Sequence, residues 1–584
     1  MFKDARTVYC GQVNKNFLNK EICLSGWISR RRDLGQLIFI DLRDRTGIMQ
    51  VVFDPKDNPK TIEIAHTLRP EFVISVKGKV VKRKDPNDKI QTGQFELQVQ
   101  DIKILNKSET PPFPIENETN VDEELRLKYR YLDLRRPKMQ KLMKLRNDTI
   151  FAIRQYLNNL DFYEIETPIL AKSTPEGARD FLVPSRIHPG TFYALPQSPQ
   201  TFKQLLMNAG IDRYFQIARC FRDEDFRSNR QPEFTQLDME MSFVTEQDIQ
   251  KICEGLIKKI WEKILDKKIT TPFARLTYDE AFSKYGSDKP DLRFNMTIND
   301  LTKTFKNTNL KFLKTIIDEG GKIGAIKIEN KNFSRSEIDT WTEKVKNLGA
   351  SGLVVLKFKD DNSIDSNIAK FLPEDFFNQL KKEITTLSNK DTLFIVAGEH
   401  EKRWNILGRL RIDLGHQLNL INEKEFNFAW ITDFPLLEWS QEDKRFYAKH
   451  HPFTSPQERW QNIDTKQIKA RAYDLVCNGE ELGGGSIRIH DPETQLEIFN
   501  FLGIDKKEAV NKFGFLLEAQ KFGFPPHGGI AFGIDRLIMI LGQTNSIADV
   551  IAFPKTTKGK CLMIESPAKV DKKQLEDLHI KTIK

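Results

Sequence analysis

No part of this sequence restricts the fold more than the segment from Phe215 to Phe243. Two strand-like runs there flank a charge-dense loop, Asp223 to Arg230, and read as a β-hairpin. In the second run Leu237, Met239, Met241 and Phe243 alternate with Gln236, Asp238, Glu240 and Ser242. A period of two places the first set on one face of a strand and the second on the other. The polar face carries two acids, which are costly if desolvated and unpaired. It must therefore meet a wet cavity, a cation or an ammonium group, or else lie open to solvent. Arg222 closes the first run on the parity of Ala218 and Cys220. Its planar fork suits clamping a carboxylate and a phosphate together; a surface ion pair with Asp223 or Glu224 is the alternative.

Two later segments carry comparable chemistry. Pro525 to Arg536 leads into a helix with Ile534, Leu537, Ile538 and Leu541 on its buried side, and Arg536 falls in the first turn. The helix dipole and free N–H groups favour an anion there, so an added Arg makes phosphate the natural guest. Gly529 and Gly533 leave the backbone open for close approach. Earlier, three glycines, Gly483 to Gly485, precede a strand in which Ser486, Arg488 and His490 alternate with Ile487 and Ile489. No Gly-Lys-Ser/Thr follows, so this is not a Walker loop, and the glycines read as room for a ligand against a sheet. Asp474 and Glu481 are hard oxygen donors suited to magnesium, or simply two surface acids.

At 584 residues the chain exceeds one hydrophobic core and implies three or four domains. With 39% hydrophobic and 30% charged residues, it resembles neither a disordered nor a membrane-spanning chain. The start lacks an apolar stretch of signal-peptide length, so a cytosolic location is expected. Six scattered cysteines without a CxxC pair argue against zinc and against a disulfide framework. The net charge of +9 is concentrated at the start: Met1 to Leu105 hold 19 Lys and Arg against 13 Asp and Glu. That segment shows five short apolar runs divided by Gly, Asp and Pro, the rhythm of a small barrel of the oligonucleotide-binding kind. Arg30, Arg31 and Arg32 run from one strand into a loop and Phe39 lies in the next strand. They pair phosphate neutralisers with an aromatic that either stacks on a base or fills the core. After a Pro-rich acidic link, Pro111 to Glu124, a helix with Ile150, Ile153 and Leu157 leads to a strand, Tyr163 to Thr167, stopped by Pro168.

Taken in order, these segments resemble the three signature motifs of class II aminoacyl-tRNA synthetases: the helix, strand and Pro168, then Phe215 to Phe243, then Gly528 to Leu541. Ser173 to Asp180, Gln197 to Gln204 and His450 to Thr454 resemble the bacterial-type aspartyl-tRNA synthetases within that class. The resemblance implies a multidomain α+β chain. Residues 1–107 would form an OB-fold anticodon-binding barrel and 108–135 a linker. Residues 136–304 and 422–584 would form an antiparallel-sheet catalytic domain, split by an inserted α/β domain at 305–421. It implies an enzyme without a protein nucleophile, in which L-aspartate and ATP react directly, with magnesium, and tRNA(Asp) takes the aspartyl group. Roles follow residue by residue. Arg222, Arg536 and Glu481 would carry catalysis, and Asp474 with Glu481 the metal. Asp223, Glu224, Gln231, Phe234, Gly533, Ile534 and Asp535 would join Arg222, Glu481 and Arg536 around ATP, with Phe234 stacked on adenine. Lys203 and Arg488 would hold the side-chain carboxylate of aspartate. Glu176, Ser198 and Asp238 would receive its ammonium group, and Gln200 and His450 would complete the pocket. Arg30, Arg31, Leu34 and Phe39 would meet the anticodon. The resemblance also implies a homodimer. Leu34, where relatives that also charge the asparagine tRNA tend to carry His, favours the strict enzyme over the dual one. A non-catalytic tRNA-binding paralogue is a remote alternative.

Overall fold

The computed structural model describes residues 6–118, 120–174, 178–224 and 230–583. The chain divides into two compact units. One holds residues 1–151, 224–232 and 538–584; the other holds 152–223 and 233–537.

In the first unit five strands close a barrel: β1 (Glu21–Leu34), β2 (Leu37–Asp44), β3 (Gly47–Phe53), β4 (Val73–Lys82) and β5 (Phe95–Asn106), in the order β1-β2-β3-β5-β4. Inward positions Ile28, Ile38, Ile40, Leu42, Val51, Ile74, Val76 and Leu97 are fully buried. The three arginines differ from expectation. Pairing of β1 with β2 continues to Leu34 opposite Leu37, so Arg30, Arg31 and Arg32 lie within the strand and only Gly35 and Gln36 turn the corner. One extra residue, Ser29, interrupts the register between Ile28 opposite Leu42 and Arg30 opposite Asp41. That bulge turns Arg30 and Arg32 to the outer face, Arg32 directly across from Phe39. Phe39 is half-buried and outside the barrel core, which answers the question of its packing. Arg31 donates from Nε to the Ala65 carbonyl and pairs with Asp33 at 2.8 Å. Beyond the barrel, Glu71 receives two hydrogen bonds from Arg43 Nη2, both 2.8 Å, and one from Arg135 at 2.9 Å.

The second unit is built on an eight-stranded sheet. Its strands are β6 (Tyr163–Glu164), β7 (Arg213–Phe221), β8 (Glu233–Ser242), β9 (Ala274–Thr277), β10 (Phe428–Thr432), β11 (Ala472–Cys477), β12 (Glu480–Ile487) and β13 (His527–Gly533). They lie in the order β9-β10-β11-β12-β13-β8-β7-β6, antiparallel except at the two outer pairs. β7 and β8 are the expected hairpin, Glu233 facing Phe221 and Met241 facing Arg213. β6 is shorter than the sequence implies: two residues pair with Tyr214 and Phe215 before the chain turns away toward Pro168. The three glycines lie inside β12 rather than ahead of it, because β12 is hydrogen-bonded on both sides and needs close approach there. A Cβ on Gly483 would sit 2.6 Å from the Ala531 carbonyl, and one on Gly485 2.1 Å from that of Gly529. On one face Leu237, Met239 and Met241 are fully buried, as are Ile249, Cys253 and Ile257 of helix α1 (Glu246–Leu265). On the other face lies α2 (Gln200–Asn208), and α3 (Ile534–Leu541) continues directly from β13.

Between β9 and β10 the chain builds a second sheet of five strands, from Ile298–Asp300 to Thr392–Gly398, with helices such as Arg335–Asn347 and His400–Gln417. Its own apolar clusters hold Ile326, Phe394 and Leu407, and Ile323, Leu356 and Leu380. This is an α/β body inserted in the catalytic sequence.

Candidate active site

The polar face of β8 is not an exposed sheet surface. Asp238 and Glu240 are fully buried, and their partners come from elsewhere in the fold. Lys203, on α2 and 1% exposed, reaches Asp238 Oδ1 at 2.9 Å and Glu240 Oε2 at 3.2 Å. Arg488, just past β12, donates from Nε to Glu240 Oε1 at 2.8 Å and from Nη2 to Oε2 at 3.1 Å. Two cations and two acids thus neutralise one another, which satisfies the requirement for burying charge. Burial would raise the Glu240 carboxyl, but Arg488 and Lys203 outweigh it and hold it at about 2. Gly529 makes the arrangement possible: a Cβ there would stand 2.1 Å from Glu240 Oε2. This glycine therefore makes room for a carboxylate of the protein, where the sequence had suggested only a backbone left open for close approach.

Lys203, Asp238 and Arg488 border a cavity of about 400 Å³ lined also by Ser198, Gln200, Arg222, Gln236, Asp288, Phe434, Lys449, His450, His451, Asp474, Glu481, Gly484, Gly485 and Ala531. Among the described residues, five that line it keep a buried polar atom without a hydrogen-bond partner: Gln200 Nε2, Arg222 Nε, Asp238 Oδ2, His450 Nε2 and Asp474 Oδ1. Each such atom costs about 1–3 kcal/mol unless something polar enters. Their concentration around one space marks a site built to be filled by a polar guest. Burial, then the charges of Lys449 and Arg488, push His450 down to about 4, so it presents a neutral ring.

Asp474 and Glu481 share this space because of a second bulge. Asp474 pairs with Gly484 and Leu475 with Gly483, but Val476 then pairs with Glu481, leaving Leu482 as the extra residue. Regular pairing would have turned Glu481 to the opposite face. With the bulge, both carboxylates overhang Gly484, whose missing Cβ would lie 2.6 Å from Asp474 Oδ1 and 3.6 Å from Glu481 Oε1. Burial and then the neighbouring Glu481 raise the Asp474 carboxyl well above its usual range, against the opposing charges of Lys449 and Arg536. Two hard carboxylates converging over Gly484 fit magnesium, which takes one or two protein carboxylates and completes its shell with phosphate and water.

Arg222 lies just beyond β7 with its guanidinium 5.1 Å from the centre of the Phe234 ring. Arg536 in the first turn of α3 donates from Nη1 to the Glu481 carbonyl. Of the other residues named around ATP, Asp535 accepts from the Thr235 N–H at 3.0 Å. The main chain of Asp223 bridges Arg179. Glu224 pairs with Arg230 at 2.6 Å, and Gln231 exchanges two hydrogen bonds with the Lys555 main chain. A Cβ on Gly533 would meet Arg536 Cβ at 3.7 Å, an ordinary contact, while Ile534 is fully buried. Glu176 lies outside the described residues. All six cysteines are buried thiols outside any disulfide.

A profile of the tRNA synthetases class II (D, K and N) matches residues 122–557, and one of the OB-fold nucleic acid binding domain matches 22–105. The aspartate–tRNA(Asp/Asn) ligase of Caldanaerobacter subterraneus is 50% identical over 99% of this chain and 98% of its own. The aspartate–tRNA ligase of Clostridium novyi is 51% identical over 98% of each. The chain belongs to the class II aspartate–tRNA ligases. Among solved structures, asparaginyl-tRNA synthetase from Pyrococcus horikoshii with asparaginyl-adenylate aligns at a TM-score of 0.60 and 20% identity. The alignment covers 95% of this chain and 99% of that one, and at such identity it speaks for the fold.

For a ligase of this class the sequence had singled out nine of the cavity residues: Ser198, Gln200, Lys203, Arg222, Asp238, His450, Asp474, Glu481 and Arg488. It missed the pairing role of Glu240, although the alternation along β8 had already set that residue beside Asp238. His451 was within reach as the second half of a His-His pair. Nothing local marks Asp288 or Lys449, which arrive from an irregular segment and from the end of the small hairpin Leu437–Ser440/Arg445–Ala448.

Proposed function

We propose that this chain activates L-aspartate with ATP and transfers the aspartyl group to the terminal ribose of tRNA(Asp). The observation that carries the reading is the buried quartet of Lys203, Arg488, Asp238 and Glu240 at one end of a cavity lined with unpartnered polar atoms. Arg488 and Lys203 receive the side-chain carboxylate. The free Oδ2 of Asp238, with Ser198 and Glu176, receives the ammonium group. The α-carboxylate oxygen then attacks the α-phosphorus and pyrophosphate leaves. Arg222 holds the aspartate carboxylate and the α-phosphate together, Arg536 holds the distal phosphates, and Phe234 stacks on adenine. Asp474 and Glu481 would hold magnesium, which would supply charge neutralisation at the phosphates. The protein's own contribution is alignment and fixed charge, since it needs no nucleophile.

The barrel carries residues suited to tRNA. Arg30, Arg32 and Phe39 on the outer face of the barrel suit an anticodon, two cations for phosphates around a ring for a base. Leu34, 70% exposed at the barrel's first turn, supports the strict reading. The dual reading is favoured by the name of the Caldanaerobacter relative, which covers both tRNA(Asp) and tRNA(Asn). The chain acts as a homodimer: edge strand β6 presents Tyr163, and beyond it Ile169 and Leu170, each about half exposed or more. No described helix is long and apolar enough to cross a membrane. Charging of separate aspartate and asparagine tRNA transcripts with labelled aspartate tests the proposal. Charging of the aspartate transcript alone is expected. Comparable charging of both refutes the strict reading, and charging of neither refutes the enzyme.

A further inference from the structure

His451 borders the same cavity as Lys203 and Arg488, and its two ring nitrogens face contradictory neighbours. Nδ1 lies 3.2 Å from the main-chain nitrogen of Phe453 and 3.5 Å from the Thr454 hydroxyl, and Nε2 lies 2.5 Å from Arg488 Nη1. The two nearer neighbours, an amide N–H and a guanidinium, can only donate, and a neutral imidazole has a single lone-pair nitrogen. The ring is neutral, because burial and then the Arg488 guanidinium hold it well below the ordinary histidine range. The Phe453 N–H is fixed in the main chain two residues on, and among the described residues the acceptor it meets is this Nδ1. Arg488 Nη1 has an alternative in Ser486 Oγ at 2.7 Å. The lone pair therefore belongs on Nδ1 and the proton on Nε2. His451 Nε2–H and Arg488 Nη1–H then converge as two donors, an approach that becomes favourable only when a strong acceptor is shared between them.

We propose that His451 is a specificity-determining residue: locked by Phe453 in its Nε2–H form, it donates to the side-chain carboxylate of bound aspartate beside Arg488 and Lys203. This rests on the aspartate-activating reading and deepens it. A histidine free to change tautomer could turn a lone pair toward the NH₂ of a carboxamide. The locked ring cannot, and Arg488 and Lys203 have no lone pairs to offer. Asparagine would thus bring two N–H donors against three donor groups, whereas a carboxylate accepts from all of them. The adjacent His450 differs, since its Nε2 is without a partner and its ring stands edge-on to Phe434 at 4.7 Å.

The test uses the full-length chain, His451→Leu and His451→Gln, in ATP–pyrophosphate exchange with aspartate and with asparagine, together with ¹⁵N-histidine NMR of the unsubstituted protein. His451→Leu is expected to raise KM for aspartate about ten- to a hundredfold, the worth of one hydrogen bond to a charged group, with a smaller change in kcat. His451→Gln, whose amide can turn either way, is expected to narrow the aspartate-to-asparagine ratio about tenfold or more. NMR is expected to show the His451 resonance as the Nε2–H form and to shift it when aspartate binds. An unchanged ratio in both variants, or an Nδ1–H ring in the spectrum, overturns the proposal. Absence of any aspartate-dependent exchange by the unsubstituted chain overturns instead the functional reading beneath it.

Discussion

Replacing Glu240 by Gln tests whether the quartet is held together by charge. The carboxylate is fully buried, makes two hydrogen bonds to Arg488 at 2.8 and 3.1 Å and lies 3.2 Å from Lys203. Its carboxyl stands at about 2 against an ordinary 4.5, so the fold favours the charged form by roughly 3 kcal/mol. Because the folded value is the lower one, this contribution is present above about pH 4.5 and is lost only as pH falls through about 2. Glutamine keeps the shape but leaves Asp238 alone against two buried cations, and breaking a buried pair in this way costs about 3–5 kcal/mol. The two estimates agree. Urea unfolding at pH 7.5, followed by tryptophan fluorescence, should therefore show Glu240→Gln destabilised by about 3–5 kcal/mol. Most of that cost is an uncompensated guanidinium, so adding Arg488→Gln should restore part of it, with a coupling of about 1–3 kcal/mol. Additivity of the two substitutions within about 0.5 kcal/mol would refute the reasoning, since two residues in one charged network cannot be energetically independent.

Gly484→Ala puts a methyl 2.6 Å from Asp474 Oδ1 and should raise the magnesium concentration needed for half-maximal exchange about tenfold, with KM for aspartate nearly unchanged. A metal titration with the two proteins side by side decides it. Arg222→Leu should retain the unfolding midpoint while lowering kcat of exchange about a hundredfold or more, read from pre-steady-state pyrophosphate release. His527 is held at about 4, chiefly by burial. The unfolded chain therefore binds its proton first, and stability should fall as pH drops from about 6.5, by about 2 kcal/mol at pH 5. Unfolding of the unsubstituted protein and of His527→Gln at pH 7 and pH 5 measures the difference.

The sequence carried what is periodic. Alternation along β8 put Asp238 and Glu240 on one face, and alternation after Gly485 put Arg488 away from Ile487 and Ile489. Both assignments survive because those stretches pair without interruption on β13, from Gln236 to Ser242 and from Gly483 to Ile487. It could not show that the polar face was buried, since burial depends on α2 delivering Lys203 from thirty-five residues away. Nor could it show what Gly529 was for: the carboxylate that occupies the absent side chain's place belongs to the neighbouring strand. Asp288 and Lys449 were illegible because neither lies on an element whose period could aim it.

Two single-residue bulges mark the boundary of legibility more sharply. A pleated strand fixes side-chain direction by counting in twos, so one inserted residue reverses every assignment beyond it. Ser29 does this in β1 and turns Arg30 and Arg32 outward to join Phe39. Leu482 does it in β12 and brings Glu481 across to Asp474. In both places a strand counted without the bulge sends the charged side chain to the wrong face, inward against Ile40 in the barrel and away from Asp474 in the sheet. The proposed anticodon face and metal site thus depend on the same device, a break in periodicity that leaves no compositional trace. The family motifs named Arg30 and Glu481 because they encode positions, whereas the register explains how the chain brings those side chains to the faces they occupy.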